Sequence, residues 1–167
     1  MAAGSTYTPI ATTTLGSAAA SYTFSSISGS YTDLILEIVA GTTTGVQEVK
    51  LVLNGDTASN YSNTSLSGNG SAASSARRTN QTGWILDALG GLTTAVSQYN
   101  SMTQFQNYSN TTTYKTAITR ANSTDYGTEA MVFLWRSTAA ISSIQLVCLT
   151  GTFLAGSTFT LYGIAAA

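Results

Sequence analysis

Few residues in this chain can do acid–base or nucleophilic chemistry. There are seven carboxylates (Asp33, Glu37, Glu48, Asp56, Asp87, Asp125 and Glu129), no histidine and a single cysteine, Cys148. A Ser-His-Asp triad is excluded, as are zinc sites of the usual Cys/His kind. Glycoside hydrolysis by paired carboxylates needs two of them on one cleft. Asp33 and Glu37 share a strand face two pleats apart, which separates their Cα atoms by about 13 Å, long for a retaining pair. Asn54-Gly55-Asp56 has the beginning of a calcium loop, but the place of the closing glutamate, counted from Asp56, is held by Ser67. A tight turn is the simpler reading, because Asn and Gly tolerate positive φ. Arg77-Arg78 can dock a partner's carboxylate, or it can lie in an ordinary solvated loop. No catalytic residue, metal ligand or cofactor site is therefore assigned, and the chain is read as a non-enzyme.

Composition narrows the remaining classes. Only 8% of the 167 residues are charged and the net charge is −1, so there is no basic footprint for a nucleic acid. Serine and threonine make up 51 residues, so the polar faces are hydroxyl faces. With 43% hydrophobic and 10% aromatic residues in regular alternation, disorder is excluded. Weak charge gives weak protection against self-association, so a homo-oligomer is expected. The first residues, MAAGSTYT, lack a secretory pattern, and no stretch reaches the ~18 apolar residues of a membrane-spanning helix. Cys148 reads as a buried small thiol. The seven Asn-x-Ser/Thr triplets read as loop composition.

These residues are carried by strands. Tyr31–Ala40 and Val46–Asn54 alternate with period two, setting Leu34, Leu36 and Ile38 on one face of the first and Val49, Leu51 and Leu53 on one face of the second. The Gly41–Gly45 loop between them predicts a hairpin. Further strands are expected at Tyr7–Leu15, Ser21–Ile27, Tyr61–Leu66, Ser97–Tyr108, Tyr114–Ala121, Ile141–Leu149 and Thr158–Ile164. Trp84–Leu89 reads as a helical turn or a short strand. Glu129–Arg136 is a near-continuous apolar run, the mark of a strand covered on both sides. Pro9, the only proline, suits an edge strand or a strand start. The Thr triplets at 12–14, 42–44 and 111–113 are unevenly spaced, which argues against a solenoid. Nine or ten short strands without a long helix predict one all-β domain over residues 1–167, an antiparallel β-sandwich of jelly-roll-like form.

Several segments match, in order, a family of small virion proteins of tailed bacteriophages of marine and freshwater bacteria. They include Tyr7–Gly16 (YTPIATTTLG), Tyr22–Ile27 (YTFSSI), Tyr31–Leu36 (YTDLIL), Asn54–Ser62 (NGDTASNYS) and Leu66–Gly70 (LSGNG). Tyr108–Thr116 (YSNTTTYKT), Leu134–Ile141 (LWRSTAAI) and Gly156–Ile164 (GSTFTLYGI) continue the series. The chain resembles this family over nearly its whole length, least around Trp84–Leu92. The resemblance implies a jelly-roll-like structural protein of the virion, decorating the head or associated with the tail. The favoured expectation is a capsid cement protein that bridges major capsid protein subunits, with a trimer as the expected oligomer and neither nucleic acid nor membrane as partner. Its contact residues are expected in a Tyr7–Leu15 arm or edge strand (Tyr7, Ile10), at Arg77 and Arg78, and at Trp84. The alternative is a tail- or head-fibre module binding host-surface glycans on exposed aromatic platforms, with Trp84 and Tyr99 as candidates.

Overall fold

The computed structural model describes residues 6–45, 47–86, 91–96 and 99–165. The sequence features at residues 1–5, Val46, residues 87–90 (Asp87 among them) and residues 97 and 98 lie outside the described residues. Twelve strands and no α-helix occur among the described residues. They are β1 (Tyr7–Thr14), β2 (Ser21–Phe24), β3 (Asp33–Val39), β4 (Val49–Leu53), β5 (Tyr61–Gly68) and β6 (Ala73–Gln81). β7 (Trp84–Leu86), β8 (Tyr99–Gln106), β9 (Lys115–Ser123), β10 (Gly127–Trp135), β11 (Ile144–Cys148) and β12 (Thr158–Ile164) follow. The strands pair antiparallel in two sheets, one of eight strands in the order β1-β12-β3-β8-β9-β10-β5-β6 and one of four in the order β2-β11-β4-β7.

This is a jelly-roll-like sandwich with one insertion. From β2 to β5 the chain alternates between sheets, β5 and β6 form a hairpin, and β7 and β8 alternate again. The β9–β10 hairpin is then inserted between β8 and β5 before β11 returns to the small sheet. An inserted pair of strands preserves the antiparallel sense of β8 relative to β5, so the sheet widens without breaking its ladder. β12 and β1 extend the opposite flank.

One buried cluster holds the layers together. Leu34, Leu36 and Ile38 of β3 belong to it with Val49, Leu51 and Leu53 of β4. Trp84 lies at its centre, with ring centroids 5.1 Å from Phe133, 5.6 Å from Phe105 and 6.2 Å from Tyr61. Fully burying such side chains contributes about 1.5–3 kcal/mol each.

Three expectations need correction. The hairpin between Tyr31–Ala40 and Val46–Asn54 does not form, because β3 and β4 belong to different sheets. Each has an apolar inner face, and placing them in opposite layers buries both in one core. The connection crosses the edge of the sandwich, where Thr42 N–H donates to the Thr93 carbonyl at 2.7 Å and Thr42 Oγ1 to the Gly45 carbonyl at 2.9 Å. Gly41 sits so close to the 95–96 backbone that an added Cβ would lie 2.8 Å from the Val96 nitrogen. The Arg77-Arg78 stretch is not a loop. It lies in β6, whose sequence ASSARRTNQ shows no apolar alternation because this edge strand is mostly exposed. Finally, β10 is covered on one side only. Glu129, Met131, Phe133 and Trp135 point inward and are buried, while Ala130 and Val132 are exposed on the outer face.

Candidate interaction surface

The outer face of the eight-stranded sheet carries Leu66, Ile118 and Val132, three of the large apolar side chains that the core leaves exposed, while Tyr114, Tyr126 and Leu149 stand exposed outside the strands. Strand register orders them in rows. In one row Arg77 (β6), Thr64 (β5), Val132 (β10) and Ile118 (β9) lead to Gln104 (β8) and Ile35 (β3). The adjacent row runs Ser75, Leu66, Ala130, Arg120, Met102 and Glu37 across the same six strands. Leu66, Val132 and Ile118 are 62%, 54% and 50% exposed. Such neighbouring exposed aliphatics are characteristic of surfaces that meet another molecule. The face is shallowly grooved. A groove of about 460 Å³ lies among Arg77, Gln106, Thr116, Ile118 and Val132. A second, about 340 Å³, runs beside Tyr7 over Ile35, Met102 and Ile118. A third, about 330 Å³, joins Leu66 to Val132 and Ile118.

Charges frame the apolar centre. Among the described residues, Arg77 lies on β6 at one flank and Asp33 and Glu37 lie on β3 toward the other, with Arg120 between them. Asp33 is held in place: its Oδ2 accepts from Gln104 Nε2 at 3.0 Å and its Oδ1 from the Asn107 amide at 2.8 Å. The Arg120 Nη2 lies 3.3 Å from Met102 Sδ. Neither the Glu37 carboxylate nor the Arg77 guanidinium has a hydrogen bond or ion pair with another side chain among the described residues.

The sequence candidates scatter over the molecule. β1 is a paired edge strand rather than a free arm. It pairs with β12 from Tyr7↔Ile164 to Thr14↔Thr158, with a bulge between Pro9 and Ala11. The bulge lets Ile10 and Ala11 both pack against the core. Tyr7 is 50% exposed, its ring edge-on to Tyr162 at 6.1 Å. Tyr7 and Arg77 stand on opposite edge strands of the large sheet, about 34 Å apart at the usual strand spacing. Arg77 and Arg78 point to opposite faces. Arg78 turns inward and its Nη2 meets Glu48 Oε1 at 2.6 Å, bridging β6 to the segment entering β4. Trp84 and Tyr99 cannot serve as aromatic platforms, since they are 0% and 1% exposed within the sandwich. The glycan-binding alternative took them as exposed from their aromatic type, whereas both lie in the core and Trp84 fills its centre. It missed Leu66, Ile118 and Val132 as surface residues. The available signals were Met102 interrupting a polar face and the doubly apolar run of β10.

The remaining polar groups brace the scaffold. Asn54 and Gly55 adopt φ of 53° and 69°, forming the turn after β4, with the Asp56 amide donating to the Leu53 carbonyl at 2.9 Å. The Asn54 side chain donates to the Ala140 carbonyl at 2.7 Å and accepts from the Ser142 and Ser143 amides. Asp56 accepts from the Ala58 amide, Asn60 Nδ2 and Trp135 Nε1 at 2.9, 3.0 and 2.7 Å. Burial pushes its carboxyl up, but these donors together outweigh that and hold it below its ordinary value. Lys115 is buried and donates to the carbonyls of Thr113 and Thr138 at 2.8 and 3.1 Å; desolvation lowers its pKa. Burial raises the Tyr61 hydroxyl to about 12, and it raises the Cys148 thiol as well. No group of three or more His, Cys, Asp or Glu side chains able to hold a metal ion occurs among the described residues. No helix among the described residues is long and apolar enough to cross a membrane.

No protein-family model matches the chain. No curated protein matches it. Among solved structures, the chain is similar to the galectin LEC-6 of Caenorhabditis elegans, at 10% sequence identity and a TM-score of 0.37, covering 93% of this chain and 96% of that one.

Proposed function

We propose that the chain is a structural subunit of a larger particle, in the role the sequence resemblance implies: a phage capsid decoration or cement protein that bridges major capsid protein subunits and stabilises them. The observation that carries this reading is the uncovered apolar centre of the large sheet, where Leu66, Ile118 and Val132 stand exposed on a low-charge surface. The edges of that sheet favour contact through the face. Pro9 and the bulge after it interrupt β1, and Arg77 and Arg78 place charge on β6, both devices that discourage strand addition. Many copies on a symmetric lattice would make weak contacts strong in aggregate. The role needs no catalytic group and no cofactor, and it places the protein at the capsid surface of the virion. Electron cryo-microscopy of purified particles tests it. Copies at repeating lattice positions on the shell are expected; a particle without this chain overturns the reading.

A second reading, a tail- or head-fibre module binding host-surface glycans, is supported by the groove beside the exposed Tyr7 ring. It expects the isolated protein to bind cell-envelope polysaccharide and Tyr7→Ala to lose that binding. Equal retention of both proteins on envelope material and on an uncoated support would remove it.

A further inference from the structure

We propose that the outer face of the eight-stranded sheet pairs with the same face of a second copy, about a twofold axis running along the strands between β9 and β10. This deepens the assembly reading above, and rests on it, by naming the partner of that face. A twofold contact is isologous: each patch must complement itself. The strand order decides whether it does. The axis lies midway between β9 and β10, so it brings β9 over the partner's β10, β8 over its β5, and β3 over its β6. An axis parallel to the strands keeps each row in register with itself. Ile118 then meets Val132, Met102 meets Leu66 and Arg120 meets Ala130, each pair formed twice.

The charges follow the same operation. Arg77 on β6 comes over Ile35 on β3, whose neighbours on that face are Asp33 and Glu37. Packed sheets are rotated by about 30° to each other. At two and a half strand spacings from the axis, this displaces the flank along the strand by about 6 Å, close to one residue pair. Arg77 is thereby carried from Ile35 to its acidic neighbours, of which Glu37 is the partner, since both Asp33 oxygens already accept hydrogen bonds. The two flanks bear opposite charge at equal distance from the axis, so the contact forms two equivalent ion pairs. Neither Glu37 nor Arg77 has a partner for its charged group among the described residues.

The size suffices. Six strands span about 29 Å and three rows about 20 Å, giving roughly 1,100 Å² over both copies, just above what a specific interface needs. Other twofold placements fit less well. An axis on β9 sets the acidic strand over Leu66, and an axis on β10 sets it beyond the sheet edge.

Sedimentation velocity of the purified chain, up to about 0.5 mM, tests this. A monomer–dimer equilibrium is expected, consistent with a small interface. Val132→Asp should leave the circular dichroism spectrum and a cooperative melt in place while abolishing the dimer, because Val132 is exposed. Glu37→Arg and Arg77→Glu should each weaken dimerisation by about tenfold or more, and the double variant should recover most of it, since the exchanged charges attract again. A chain that stays monomeric throughout, forms a closed trimer, or dimerises equally well as Val132→Asp overturns the inference. So does a double variant no better than the singles. Particle incorporation of the same variants separates the two proposals: a monomeric wild type found on the shell refutes only the dimer, and a dimer absent from particles refutes only the assembly role.

Discussion

The brace around Asp56 yields the sharpest stability prediction. The carboxylate sits after the β4 turn and accepts from Trp135 Nε1 on β10 and from two donors of its own loop. It thus ties the small sheet's exit to the large sheet. Asp56→Ala removes three hydrogen bonds to a charged acceptor and leaves the Trp135 indole N–H, on a residue only 2% exposed, without its partner. The two loop contacts are partly solvated and water replaces them at little loss. The indole contact is not replaced, and its loss with the stranded donor sets the scale at about 3 kcal/mol. In a chain of this size that lowers Tm by about 6–12 °C. Urea unfolding followed by tryptophan fluorescence measures it as a shift in midpoint at unchanged slope. The double-mutant cycle with Trp135→Phe should give a coupling of about 1.5–3 kcal/mol. The pH dependence has a fixed sign. The folded pKa of Asp56 lies below its unfolded value. The stabilisation by the charge is therefore fully present above the unfolded pKa and is lost as pH falls through the lower folded one. The gap between wild type and Asp56→Ala should be widest near neutrality and narrow in acid. A change under about 1 kcal/mol, or a gap that widens as pH falls, refutes the brace.

Three further outcomes follow from burial and geometry. Trp84→Ala should destabilise by about 3–5 kcal/mol in urea unfolding, since it opens a cavity among Phe105, Phe133 and Tyr61, whereas loss of a surface ligand without loss of stability would contradict its burial. Arg78→Ala should destabilise by less than about 1 kcal/mol, with the difference shrinking in salt, because the Arg78–Glu48 pair is partly exposed and screened. Cys148 should react with a thiol reagent at mildly alkaline pH only as fast as the protein opens, because burial shields it and raises its pKa; immediate stoichiometric labelling of the native protein would refute that.

How much was legible in the sequence varied with burial. β3, β4, β9 and β12 read correctly as strands because one face of each contacts the core and the alternation records that contact. Pairing was less legible. A Gly-bracketed loop such as 41–45 permits a hairpin, but it equally permits a crossing of the sandwich edge, and only the summed core decides. β6 left no trace because an exposed edge strand imposes no apolar requirement on either face; it is held by its ladder with β5 and by Arg78. The candidate surface residues followed the same rule. Trp84 and Tyr99 were taken as exposed from residue type, and type says little about which side of a strand an aromatic ring occupies.

β10 carries the most informative disagreement. Its run EAMVFLWR has the composition of a strand covered on both sides, yet the sandwich covers only Glu129, Met131, Phe133 and Trp135. Ala130 and Val132 have no cover, and Ile118 on β9 and Leu66 on β5 lie in the same state beside them. A single exposed aliphatic needs no explanation, but four on three adjacent strands form a surface with a consistent demand. A sheet that met only water on this side would be free to carry polar residues there, as the outward positions Thr116, Asn122 and Thr128 of the same two strands do. Toward the middle of these strands the outward positions are mostly apolar, with Arg120 beside Ala130 and the half-buried Leu134 near the end of β10, and polar residues lie at the ends. That arrangement, a small apolar centre with a polar rim, is the anatomy of a protein–protein contact. The composition of β10 is that of a strand covered on both faces, and the partner copy proposed above would supply the second cover.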